Sequence, residues 1–152
     1  MTEVLPTLSW QSLAYPVVRW AKERPDVLSV ALVGSWARGT ARAGSDIDLI
    51  LLAADPNVFR ESDDWLAEIA WDRSDSRIKT WFDADYGVAW SRHIRLDQGS
   101  ENELTFCAPS WAAASPPDPG TIHVLSGGCC ILLDKEQHLN RLSTLIEAVN
   151  DQ

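Results

Sequence analysis

The sequence predicts an α+β fold, a single domain of helices packed on a mixed β-sheet. Three observations carry this. Val27–Val33 and Ser45–Ala53 are strand-sized apolar runs, the mark of central strands buried on both faces. Both ends of the chain carry apolar residues at helical spacing, over Leu8–Arg24 and Lys135–Val149. Between them, Tyr86–Leu96 alternates and is followed by Gln98-Gly99 and a second extended run, the pattern of a hairpin.

Taken in order, Leu8–Arg24 places Leu13, Val17, Trp20 and Ala21 on one helix face; Pro16 should kink or split it, and Pro25 closes it. After the strand Val27–Val33, residues Ser35–Thr40 read as a short helix leading to the strand Ser45–Ala53. Asp55-Pro56 begins a turn. Ser62 caps a helix from Asp63 to about Trp71, with Asp63 and Asp64 at its positive end and Trp65, Leu66 and Ile69 toward the sheet. Asp72–Ser76 is a polar loop, and Arg77–Phe82 a short strand or extended approach. In Tyr86–Leu96, alternation puts Val88, Trp90, Arg92, Ile94 and Leu96 on one face, and Glu101–Phe106 is the partner strand. Pro109–Gly120, with four prolines, is a loop wrapping an edge. Thr121–Ser126 fits helix or strand, with Gly127 suited to a helix stop. Cys129–Leu133 is a buried strand, and the closing helix lines up Leu139, Leu142, Leu145, Ile146 and Val149.

With 152 residues, 45% hydrophobic and 23% charged, the chain can bury a real core. A net charge of −9 argues against bulk nucleic-acid binding, though not against a small nucleotide held through metal. The apolar runs are too short for a membrane span, and the N-terminus lacks a signal-peptide pattern. Three cysteines make no disulfide framework and fit reduced thiols in the cytoplasm.

The richest stretch is Val30–Leu52. Residues two apart on a strand share a face, so Asp46 and Asp48 point the same way while Ile47 and Leu49 turn to a core. Paired carboxylates repel and are costly to desolvate, and a divalent cation relieves both; hard oxygen ligands suit Mg²⁺. Gly34-Ser35 directly follows the first strand. Glycine permits close backbone approach to a ligand, and the N–H groups opening a helix offer a grip on phosphate.

Gly34-Ser35, then Arg38-Gly39, then Ser45-Asp46-Ile47-Asp48-Leu49 resembles the DNA polymerase β-like nucleotidyltransferase superfamily, and within it the small bacterial minimal and aminoglycoside-type nucleotidyltransferases. The resemblance runs from about Ala31 to Leu133 and implies the nucleotidyltransferase fold. It implies that Asp46 and Asp48 bind Mg²⁺ (or Mn²⁺) and the phosphates of an NTP, with ATP the first candidate. Gly34, Ser35, Arg38, Arg42 and Ser45 would lie around the nucleotide. Arg38 matches the pattern, whereas Arg42 reads equally well as a solvated loop arginine. A third carboxylate comes from a later strand that often reads Glu-Val-Glu before a Pro-Ser-Trp-Ala loop. Here Glu101-Asn102-Glu103 precedes Pro109-Ser110-Trp111-Ala112, so Glu103 takes the catalytic and metal position and Glu101 is the fallback. Asn102 and Leu104 depart from that pattern. In aminoglycoside-type members the third carboxylate can also accept the attacking hydroxyl's proton.

Other residues read more plainly. Arg92 and Arg95 fall on opposite strand faces, and Arg92 beside Trp90 could stack on a ring. Trp10, Trp20, Trp65 and Trp71 read as core; Trp36 and Trp81 or Trp90 could line a pocket. His93, His123 and His138 lack metal-ligand spacing and read as ordinary histidines. Three functions follow from the resemblance. The chain is an NMP transferase acting on a hydroxyl of a small molecule, protein side chain or RNA end. Or it is an antitoxin that binds or adenylylates a helical HEPN ribonuclease. Or it is a non-catalytic NTP-binding module. With one closing helix to shape an acceptor site, the chain is expected to work with a second copy of itself or a helical protein partner.

Overall fold

The computed structural model describes residues 10–42, 45–71, 77–97, 99–112 and 119–150, the side chains of 145–150 excepted. The two apolar runs form the middle of one sheet. β1 (Val27–Val33) and β2 (Ile47–Ala53) pair antiparallel, and all but one residue in each is buried. β3 (Ile78–Asp85), β4 (Ala89–Leu96) and β5 (Glu101–Cys107) form an antiparallel meander, whose last strand lies parallel to β2. β6 (Cys129–Asp134) joins the other side of β1, giving the order β3-β4-β5-β2-β1-β6.

Strand alternation splits the core into two clusters, one on each face of this sheet. On the first face, Leu49, Leu51, Leu104 and Phe106 meet Leu13, Val17, Trp20 and Ala21 of α1 (Trp10–Glu23), with Phe59, Trp65 and Trp71. The packing there is aromatic: Phe106 stacks on Phe59 at 4.9 Å and on Trp90 at 4.8 Å. On the second face, Val33, Ile50, Leu52 and Cys107 meet Leu125 of α4 (Pro119–Ser126) and Leu139 and Leu142 of α5 (His138–Asn150). Among the described residues no helix is long and apolar enough to cross a membrane.

Polar side chains tie the ends of helices to the sheet. Lys135 Nζ donates to the carbonyls of Ala21 and Arg24 at 2.9 and 2.8 Å, closing α1. Asp134 accepts from the amides of Leu139 and Asn140 in the first turn of α5, which starts at His138, three residues after the expected start at Lys135.

Several sequence expectations need correction. Pro16 does not split α1, which runs from Trp10 to Glu23 with Pro16 on its buried face. Asp55-Pro56 starts α3 (Pro56–Arg60) rather than a simple turn: Asp55 accepts from the Asn57 amide, and proline suits the first helical turn. The helix expected after Ser62 contracts to a 3-10 helix, Asp64–Glu68, though Ser62 Oγ does accept from the Asp64 amide. Residues 86–88 belong to the turn before β4, with Gly87 at φ +83° and Val88 80% exposed. The wrapping loop begins as a 3-10 helix, Pro109–Ala112, and α4 already starts at Pro119. β6 is an edge strand, so Cys130 is exposed and Cys129 half-buried. Asp72–Ser76, Gln98 and the side chains of Leu145, Ile146 and Val149 lie outside the described residues.

Candidate active site

The strand registers set one row of side chains across all six strands: Phe82, His93, Glu103, Asp48, Val33 and Cys129. Asp48 and Glu103 are direct partners across the parallel β2–β5 pair. Asp46, just before β2, and Glu101, two residues before Glu103, extend the same face, so four carboxylates gather at one end of the two strands. Burial pushes the Asp48 carboxyl up to about 6, helped by the negative charges of Glu103 and Asp46. Asp46 is raised by burial and by its hydrogen bond and charge contact with Glu101.

Gly34 makes room for this cluster. It takes φ +75° between β1 and the short helix α2 (Gly34–Arg38), and a Cβ there would run into Oδ2 of Asp48. Gly128 does the same for Arg38: a Cβ at Gly128 would lie 2.9 Å from Arg38 Cγ and 3.1 Å from its backbone nitrogen. A pocket of about 620 Å³ opens here, with Gly34 and Arg38 on one side, Asp48 and Glu103 between, and Tyr86 and Val88 on the other. Its floor runs on past Ile50 and Cys107 to Trp111 and His123.

Gly34, Arg38, Asp48 and Glu103 thus share one pocket, with Asp46 adjoining through the carboxylate cluster. Ser35, Arg42 and Ser45 are not among its lining residues. They close the loop between α2 and β2. Ser35 O accepts from the Thr40 amide at 2.9 Å, and Ser45 Oγ accepts from the Arg42 amide at 2.8 Å. Trp36 is likewise spent on this loop, its indole N–H donating to Ser45 O at 3.2 Å.

Arg92 does not face a ligand. It is 1% exposed on the opposite, aromatic face, where it pairs with Asp83 at 2.7 and 3.0 Å and lies 4.1 Å over the Trp81 ring. Trp90 beside it is core. The site residue that sequence reasoning passed over is His93. Its Nε2 is 3.3 Å from Glu103 Oε1, and its ring stacks on Phe82 at 4.5 Å, tilted by 5°. A two-residue turn at positions 98 and 99 would set 93 opposite 104, so the pairing with 103 follows from the observed register of β4 on β5 and not from the expected turn. Tyr86 also reaches Glu103, its Oη donating to Oε1 at 3.4 Å.

The donor set suits a divalent cation in kind, being all carboxylate oxygen, with Arg95 3.9 Å from Glu101, His93 beside Glu103 and Arg38 near Asp48 as the cationic or polar side chains around it. Among the described residues, no three ligand-type side chains already stand as a closed metal cage.

Residues 18–82 match the nucleotidyltransferase domain family. The matched stretch includes Gly34, Arg38, Asp46 and Asp48 and stops short of Glu103. In three dimensions the chain is similar to an aminoglycoside 6-adenyltransferase from Bacillus subtilis, with a TM-score of 0.52 and 18% identity over 68% of this chain and 36% of that one. This is a small nucleotidyltransferase-fold protein. It spans about a third of the length of the adenyltransferase it resembles. A toxin–antitoxin structure with AMP-PNP is also similar, at a TM-score of 0.42 and 13% identity over 90% of this chain and 86% of that one. No protein of curated function matches the sequence.

Proposed function

We propose that this chain transfers NMP from an NTP to a hydroxyl acceptor with Mg²⁺ or Mn²⁺, ATP being the first donor to test. The observation that carries the reading is the side-by-side placement of Asp48 and Glu103, with Asp46 and Glu101, beside the clearance left by Gly34. Asp46, Asp48 and Glu103 would hold the metal. Once bound, it would supply charge neutralisation and polarisation at the reacting phosphate. Gly34 leaves the backbone open to the phosphates, and Arg38 brings a guanidinium to the same side of the pocket. Glu103 accepts the proton of the incoming hydroxyl, and His93, stacked on Phe82, holds the Glu103 carboxylate in place. Ser35, Arg42 and Ser45 act at one remove, by shaping the loop that carries the phosphate side. Three free cysteines fit a reducing cytoplasm.

Calorimetry with MgATP on wild type and Asp46→Asn tests the metal assignment: binding is expected in the first and lost in the second, and equal affinities would overturn it. Transfer of labelled NMP by Glu103→Gln and Glu101→Gln separates the two candidate third carboxylates. Glu103→Gln is expected to bind MgATP and fail to transfer.

A further inference from the structure

Tyr86 follows β3 directly and opens the turn into β4. Bonds that do not involve the Tyr86 side chain hold that turn: Tyr86 N–H donates to Ala89 O at 2.8 Å, and the Asp85 carboxylate accepts from the Gly87 amide at 2.8 Å. The Tyr86 side chain is 56% exposed, so packing does not account for where its hydroxyl sits. That hydroxyl donates to Glu103 Oε1, the oxygen His93 also contacts. Tyr86 also lines the pocket shared by Gly34, Arg38, Asp48 and Glu103. Across the sheet the order is the Gly34–Arg38 side, then the carboxylates, then the Tyr86 hydroxyl. An in-line displacement needs this order: the leaving phosphates on one side of the reacting phosphorus and the attacking oxygen on the other.

We infer that Tyr86 is an acceptor within the chain itself, and that the protein nucleotidylylates its own Tyr86. In this step Glu103 takes the Oη proton and Oη forms a bond to the α-phosphorus. The bond from that phosphorus to the bridging oxygen of the β-phosphate breaks, and pyrophosphate leaves. The products are a tyrosyl–O–NMP ester, pyrophosphate and a protonated Glu103. The inference rests on the NMP-transfer reading of the site.

Intact-protein and peptide mass spectrometry test it, on the chain as purified and after incubation with each NTP and Mg²⁺ or Mn²⁺. The expected result is one NMP per chain, on the Tyr86 peptide, absent from Tyr86→Phe and from Glu103→Gln. Calorimetry with Mg²⁺ and a non-hydrolysable ATP runs in parallel on all three proteins, and all three are expected to bind. Wild type that binds the nucleotide yet stays unmodified, or is modified only elsewhere, overturns the self-acceptor inference and leaves the transferase reading standing. Wild type that binds no metal–nucleotide overturns both.

Discussion

The two faces of the sheet each carry charge, buried on one and half-buried or exposed on the other, and they handle it in opposite ways. On the aromatic face, Arg92 is fully matched: Asp83 accepts from its Nε and Nη2, the carbonyl of Ser62 accepts from Nη1 and that of Arg60 from Nη2, and Trp81, Trp65 and Trp90 surround its guanidinium within 5.2 Å. On the open face, Asp46, Asp48, Glu101 and Glu103 crowd together, and Arg95 at 3.9 Å from Glu101 and Arg38 near Asp48 do not keep Asp48 from rising to about 6. A charge whose partners are all internal is structural. A charge cluster with more carboxylates than counter-charges marks where something else binds.

The strongest test of that contrast is to break the matched side. Arg92→Ala is expected to destabilise the fold by about 3–5 kcal/mol, since it removes half of a buried pair and leaves Asp83 and two carbonyls without their donor. Urea unfolding measures this, and a change near zero would mean the pair is not structural. The unmatched side should respond with the opposite sign. Asp48→Asn is expected to abolish metal-dependent nucleotide binding while stabilising the metal-free protein by about 1–2 kcal/mol at neutral pH, the Asp48 shift being discounted for partial solvent screening.

The same cluster predicts a pH dependence. A native carboxyl raised to about 6 from 3.8 keeps its proton longer than the unfolded chain does, so its ionisation opposes folding. That penalty is absent below about 3.8, grows as pH rises toward 6 and is complete above it. Metal-free wild type should therefore lose stability as pH rises from 3.8 to about 6, and Asp48→Asn should flatten the slope in the same urea series. Saturating Mg²⁺ should remove it as well, as bound metal takes the place of the proton. The smallest expected effect is at the exposed Arg60–Asp85 pair, where Arg60→Ala should leave the unfolding midpoint unchanged because water screens both charges.

The sequence is most readable where one local rule decides. Apolar runs mark the central strands, and the two-residue spacing of Asp46 and Asp48 by itself puts them on one face. It is least readable where a rule needs a partner. Val88 continues the alternation of Trp90 and Arg92, yet Gly87 turns the chain and leaves Val88 in water. Arg92 looked like a ligand-facing cation because its match, Asp83, comes from the neighbouring strand β3, for which only a short extended segment was expected. His93 and Tyr86 carry no motif of their own, and only the register across β4 and β5 or the reach of a side chain brings them to Glu103. Cys129-Cys130 is apolar enough for an interior strand, but β6 ends the sheet, and composition does not reveal an edge.

The parallel pairing of β2 with β5 bears on how the chain folds. The β3–β4 and β4–β5 hairpins close over short turns, but Asp48 meets Glu103 only after more than fifty intervening residues have been gathered in. Closing that loop carries the larger entropic cost, and the like charges meet in the same event. The carboxylate cluster is therefore expected to sit on the folding barrier as well as on the final stability: Asp48→Asn should raise the refolding rate more than it lowers the unfolding rate. A metal able to bridge the two strands would then speed the search that assembles its own site.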